Sequence, residues 1–121
     1  MADQVLLGRT VELESIKIRG QPASQQIVLL AIAEDDPGRL RDLQPALSNA
    51  DIMRMRFENN MNVLNLTLDL AKIRVIVYLS TVLTKQEKLE LVRHEFSGIS
   101  AIHQAISIGS LKLITILLED F

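Results

Sequence analysis

The chain contains no cysteine. That absence removes disulfide frameworks, thiolate metal sites and thiol catalysis together, and it makes a reducing, cytoplasmic setting the expectation. Aromatic residues are scarce at 3%, and the formal net charge is −2. With few rings for base stacking and no positive field to attract a polyanion, nucleic-acid binding is disfavoured. The longest apolar run, Ile27 to Ala33, is far below the ~18 residues needed to cross a bilayer, so no membrane insertion is expected. Asp3, Glu12 and Glu14 interrupt the start of the chain, which therefore lacks the pattern of a secretory signal. Glycine is also sparse: Gly8, Gly20, Gly38, Gly98 and Gly109 lie too far apart for a phosphate-cradling loop or a dinucleotide fingerprint.

What the chain does have is apolar residues, 48% of its 121 positions. That is enough for one modest core in one domain, able to fold without metals or disulfides. Three stretches share a layout of short apolar helix, tight turn and second apolar helix, with a period of about forty residues. In the last, Ser100 is the N-cap of a helix carrying Ala101, Ile102, Ala105, Ile106 and Ile108; Gly109 breaks it, and Ser110 caps a second. That second helix, with Leu111, Leu113, Ile114, Ile116, Leu117 and Leu118, is apolar around nearly its whole circumference and must be covered on more than one side.

The middle stretch repeats the plan. Asn62 is its cap, Val63, Leu64, Leu66 and Leu68 form its first helix, Ala71 and Lys72 its turn, and Ile73, Val75, Ile76, Tyr78 and Leu79 its second helix. In the first stretch Ile27 to Ala33 is helical, Glu34 to Asp36 is the turn, and Asp36 followed by Pro37 is an N-cap with proline at the first helical position. Leu40 and Leu43 continue this helix, and Pro45 then either stops or kinks it. Between the stretches, Thr84, Lys85, Gln86 and Glu87 make a capping-box pattern that predicts an extra helix over about 85–93. Ile52 to Glu58 partly alternates apolar with polar residues ahead of Asn59 and Asn60, which predicts a projecting hairpin-like loop. Residues 1–20 fit either a strand pair, through Val11, Leu13, Ile16 and Ile18, or the remains of a capping helix.

Gly98, Ser100, Ala101, Ile102, His103, Gln104 and Ala105 resemble the ankyrin signature Gly-x-Thr-Pro-Leu-His-x-Ala, and Gly109, Leu113, Ile114, Leu117 and Leu118 resemble that family's second helix. Asn49, Ala50, Asp51 and Ile52 are similar to the Gly-Ala-Asp-Val that closes one ankyrin repeat. The middle stretch departs in letters, with Asn60 for Gly, Asn62 for Thr, Val63 for Pro, Asn65 for His and Thr67 for Ala; the first has Leu29 where His is expected. The likeness covers residues 24–121, with spacings longer than the usual ~33, so a generic array of helical hairpins is the competing fold. The resemblance implies an all-α, short ankyrin-like solenoid of about three helix-turn-helix units with inserted loops. Its parts are an N-terminal segment or cap (1–23), a first repeat (24–57), a second with the inserted helix (58–97) and a third (98–121). It also implies that His103 hydrogen-bonds backbone across neighbouring repeats.

No enzyme constellation is present. His103 and His94 are the only histidines, no Ser and Asp stand at usable offsets for a triad, and two histidines do not make a metal site. Glu34, Asp35 and Asp36 lack the alternating ligands, Gly and distal Glu of a calcium loop and are a solvated turn with a helix cap. No cofactor, metal or catalytic residue is expected.

The expected function is recognition of a protein partner. Arg54, Arg56, Phe57 and Glu58 occupy the first projecting loop, where Arg and aromatic residues suit an interface hot spot; Met53 and Met55 beside them either adapt to the partner or pack inward with Phe57. His94, Glu95 and Phe96 hold the corresponding loop of the next unit, and Gln104 and Asp69 are expected to face outward on the same side. The alternative is an assembly domain that acts through the apolar last helix, with Leu111, Ile116 and Leu118 in the interface of a homodimer or against further repeats. A third arrangement turns all these apolar residues toward the preceding unit.

Overall fold

A computed structural model describes residues 23–44 and 46–121. The expectations for residues 1–20, and the choice between stop and kink at Pro45, lie outside the described residues. Those residues are all-helical, with eight α-helices and no strand: α1 (Ala23–Ala33), α2 (Pro37–Asp42), α3 (Asn49–Arg54), α4 (Val63–Asp69), α5 (Ile73–Val82), α6 (Lys85–Arg93), α7 (Ala101–Ile108) and α8 (Leu111–Asp120). No helix among them is long and apolar enough to cross a membrane.

The helices begin where short polar side chains satisfy amides that have no intrahelical partner. Asp36 accepts from the Arg39 amide at α2, Ser100 from His103 at α7 and Ser110 from Leu113 at α8. Ser48 with Asp51, Asn62 with Asn65 and Thr84 with Glu87 form reciprocal capping boxes at α3, α4 and α6. Helix α5 differs: Lys72 at its N-cap makes no side-chain bond. Its Val75 amide instead donates to the Asp35 carboxylate at 3.0 Å, from the turn after α1.

Three helix pairs, α1/α2, α4/α5 and α7/α8, each turn through a residue in the left-handed region: Asp35 (φ 52°), Ala71 (φ 54°) and Gly109 (φ 78°). After α1 and α4 these residues sit in Schellman turns, in which Asp35 and Asp36 donate to Ile32 and Ala31, and Ala71 and Lys72 donate to Leu68 and Thr67. The pairs pack in two rows. First helices meet first helices, α1 on α4 and α4 on α7, while second helices meet second helices, α2 on α5 and α5 on α8; α6 lies against α4 and α7. Helix α4 is therefore central, and every residue from Val63 to Leu68 is buried. The core runs through all three pairs, from Val28, Ile32 and Leu40 through Leu64, Ile76 and Leu79 to Ala105, Leu113 and Leu117.

Two expectations are corrected. Ile52 to Glu58 is not a hairpin over its length: the Ser48–Asp51 box starts a helix that runs to Arg54, and only from Met55 is the chain extended. The first helix starts at Ala23, ahead of the expected Ile27. The extra helix expected over 85–93 is α6, with those bounds.

Candidate protein-binding surface

After α3 the chain turns at Asn59 (φ 60°) and Asn60 (φ 66°), both left-handed, a region that asparagine tolerates better than most residues. The turn closes when the Phe57 amide donates to the Met61 carbonyl at 2.8 Å. The next projecting turn is a two-residue hairpin. Phe96 and Ile99 exchange N–H···O bonds of 3.0 and 2.9 Å across Ser97 and Gly98, both at positive φ, the signature of a type I′ turn. The two tips are tied together, because the His94 Nε2 lies 2.8 Å from the Asn60 carbonyl. A carbonyl only accepts, so Nε2 carries the proton.

Beneath the tips lies a buried polar network. Asn62 Nδ2 donates to the Leu91 carbonyl at 3.1 Å. Gln104 Nε2 donates to the Asn65 carbonyl at 2.7 Å, and Asn65 Nδ2 donates back to Gln104 Oε1 at 3.4 Å. These amides carry the cross-unit bonding that the ankyrin resemblance implies for His103, which is instead exposed and pairs its Nδ1 with its own cap, Ser100 Oγ, at 2.9 Å.

Beside the first tip, Gln25, Gln26 and Leu29 of α1, Leu66 of α4, and Phe57 with Glu58 line a groove of about 450 Å³. Gln25 Nε2 donates to the Arg56 carbonyl at 2.7 Å and so holds the loop against α1. On the other side of the loop, Met53, Arg56, Asn62, Glu90, Leu91, Arg93 and His94 surround a smaller hollow of about 250 Å³. Arg56 Nη1 is anchored by the Met53 and Met55 carbonyls, both at 2.9 Å. Arg54 pairs with Asp51 at 2.6 Å. The Asp51 carboxyl lies below its ordinary range, first because the Ser48 amide and then its hydroxyl donate to it, with Arg54 adding to the effect.

The loop thus brings together Arg54, Arg56 and Glu58, all exposed, with Phe57 and His94 half-buried; Phe96 is half-buried on the second tip. Met53 and Met55 pack into the core, which is the inward alternative for them. Gln104 is corrected: only 6% of it is exposed, and both ends of its amide are engaged by Asn65, so it does not face a partner. Ile116 is also corrected, since it is buried within the chain; of the residues expected at an oligomer interface, Leu111 and Leu118 remain, 77% and 71% exposed. Sequence reasoning missed Gln25, Gln26, Leu29 and Leu66 as groove residues and Arg93 in the second hollow. The helical spacing of Gln25, Gln26 and Leu29 marks one face of α1, but the signal is visible only once Ala23 is placed inside the helix.

Among the described residues no three His, Asp or Glu side chains gather in a way that would hold a metal ion. Comparisons with protein-family models, curated proteins and solved structures found no match.

Proposed function

We propose that the chain is a non-catalytic recognition module of the cytoplasm, a short ankyrin-like stack that binds a protein partner through its loop tips and first helices. The observation that carries this reading is the groove between α1 and the Met55–Met61 turn. It has an apolar floor of Leu29, Phe57 and Leu66 and a rim of Gln25, Gln26 and Glu58, the combination of an apolar anchor site with a few orienting polar groups that recognition pockets share. Its walls are fixed before any partner arrives, by Gln25 on Arg56 and by His94 on Asn60, which lowers the ordering cost of binding. The ankyrin likeness is supported by the two rows of helices and the left-handed residue that recurs in each pair.

An affinity capture identified by cross-linking mass spectrometry tests the reading, comparing wild type with Phe57→Ala and, as a surface substitution that spares the core, Glu58→Lys. A partner cross-linked to the groove and lost with both variants supports it. Equal retention by both would remove the groove from the interface.

A second reading, an assembly domain acting through the last helix pair, is favoured by one observation: Ile106, Leu111 and Leu118 are 59%, 77% and 71% exposed, a concentration of large apolar side chains on one pair of helices.

A further inference from the structure

Among the described residues Arg39 and Arg54 pair with carboxylates, whereas Arg41, Arg56, Arg74 and Arg93 do not. Arg39 pairs with Glu34 at 2.7 Å and Arg54 with Asp51 at 2.6 Å. Arg56 and Arg93 pair with no carboxylate among the described residues, although Glu90 lines the same hollow as both. The hollow is open at its mouth and floored by the buried Met53, Leu91 and Asn62.

Arg56 is the better organised of the two. Its Nη1 is spent on the Met53 and Met55 carbonyls, which fixes the plane of the guanidinium and leaves the Nε and Nη2 hydrogens for another acceptor. The wall opposite is equally fixed, because His94 gives its Nε2 hydrogen to Asn60. A held, unpaired guanidinium favours an anion more than a freely moving surface arginine does, since less side-chain entropy is lost when the contact forms.

Size and charge narrow the anion. The hollow measures about 250 Å³, room for one side chain. An adjoining hollow, which shares Met53, Arg56 and Glu90, adds the carboxylate of Glu87 and Arg54, whose charge is already paired with Asp51. A polyanion would meet both acids and a chain of net charge −2, whereas one carboxylate has Arg56 and Arg93 for it, Glu90 alone against it, and need not approach Glu87. We infer that this cleft between α3 and α6 is a subsite for a single Asp or Glu side chain of the bound protein, a refinement that rests on the recognition reading above. The partner segment is therefore acidic at one position, in addition to the apolar residue that the Phe57 groove takes.

The test is selection of random octapeptides displayed on phage against wild type, Arg56→Gln and Arg93→Gln. Arg93 lies at the exposed end of α6, so its variant keeps the test independent of the loop that Arg56 braces. The wild-type pool is expected to be enriched in Asp or Glu at one position and in apolar residues at another, with both variants losing the acid preference alone. For a selected peptide, either Arg substitution or a Glu→Gln change in the peptide is expected to weaken binding roughly five- to ten-fold, and the two together little more than one. A pool with apolar preference only, or an acid preference undiminished in both variants, overturns the subsite and leaves the recognition reading standing. Failure to select any peptide overturns both.

Discussion

At the residue scale, the least comfortable position is Ala71. It holds φ 54°, where a Cβ crowds the backbone at a cost of roughly 1–2 kcal/mol, while Gly109 occupies the matching turn of the last pair without that cost. Ala71→Gly removes the strain but loosens the unfolded chain by about 0.4–1 kcal/mol, so a net gain of up to about 1.5 kcal/mol is expected in urea unfolding. Asp35 is also left-handed, yet there a glycine is expected to harm. Its carboxylate is the acceptor for the Val75 amide of an otherwise uncapped α5, and Asp35→Gly should cost about 1 kcal/mol net of relieved strain, with Asp35→Asn near neutral because it keeps an acceptor. A glycine variant as stable as wild type would show that water replaces the cross-helix cap. Asp51 supplies a pH signature. Its carboxyl is held below the ordinary value of 3.8 by the two Ser48 donors and Arg54. Stabilisation from a lowered carboxylate is complete above the ordinary value and is lost as pH falls through the lowered one. Carbon-detected NMR should place the Asp51 midpoint below 3.8, with the Ser48 amide signal moving in step. An ordinary midpoint would mean that the capping box is not held in solution.

At the scale of elements, the legible helices were those whose ends are written in short polar residues. Thr84 and Glu87 announce α6, and Ser100, Gly109 and Ser110 announce the bounds of α7 and the start of α8. Thr84→Ala should accordingly cost about 1 kcal/mol, in the usual range for a lost cap. Hydrogen exchange is the direct check, with protection expected to fall in Lys85–Arg93 and to persist in α4. The same grammar was present at Ser48 and Asp51 but was masked by two competing signals. The Asn49–Ile52 stretch resembles a repeat-closing sequence, and the residues after it alternate as a strand does. Local cap chemistry won because the alternating residues ahead of Phe57 pair with no neighbouring strand: Met53 lies on a helix facing the core and Met55 after its end, also buried, and only Phe57 bonds across the turn, to Met61. The candidate site was half legible for a different reason. Arg54, Arg56, Phe57 and Glu58 stand together in the chain, so composition alone marks them. The groove's other wall, Gln25, Gln26 and Leu29, is distant in sequence, and no periodicity within one helix says which helix it will lie against. Gln104 shows the converse. It is a polar residue on a first helix, and its outward placement was expected; the buried Asn65 beneath it supplies both a donor and an acceptor, which is what allows an amide side chain to be buried.

At the scale of the whole molecule, recognition and assembly use opposite parts of the chain, and their energetics separate them. Leu111 and Leu118 stand two helical turns apart on one face of α8, with Ile106 on the adjoining α7. Fully burying such a side chain is worth about 1.5–3 kcal/mol, and association itself costs roughly 4–15 kcal/mol. Three such residues per copy, already partly covered, therefore support at most weak self-association. Sedimentation is expected to show a monomer at low micromolar concentration, with reversible association appearing only well above it. Leu111→Glu with Leu118→Glu should abolish that association, since each places a charge in the contact. Both positions are exposed, so the fold should survive the change. Partner or peptide binding at the Phe57 groove should survive as well, because neither residue lines it. A tight wild-type dimer whose loss also abolishes partner capture would give the opposite ranking. The last helix pair would then be the working surface, and the groove under the loop tips a by-product of packing α1 against the Met55–Met61 turn.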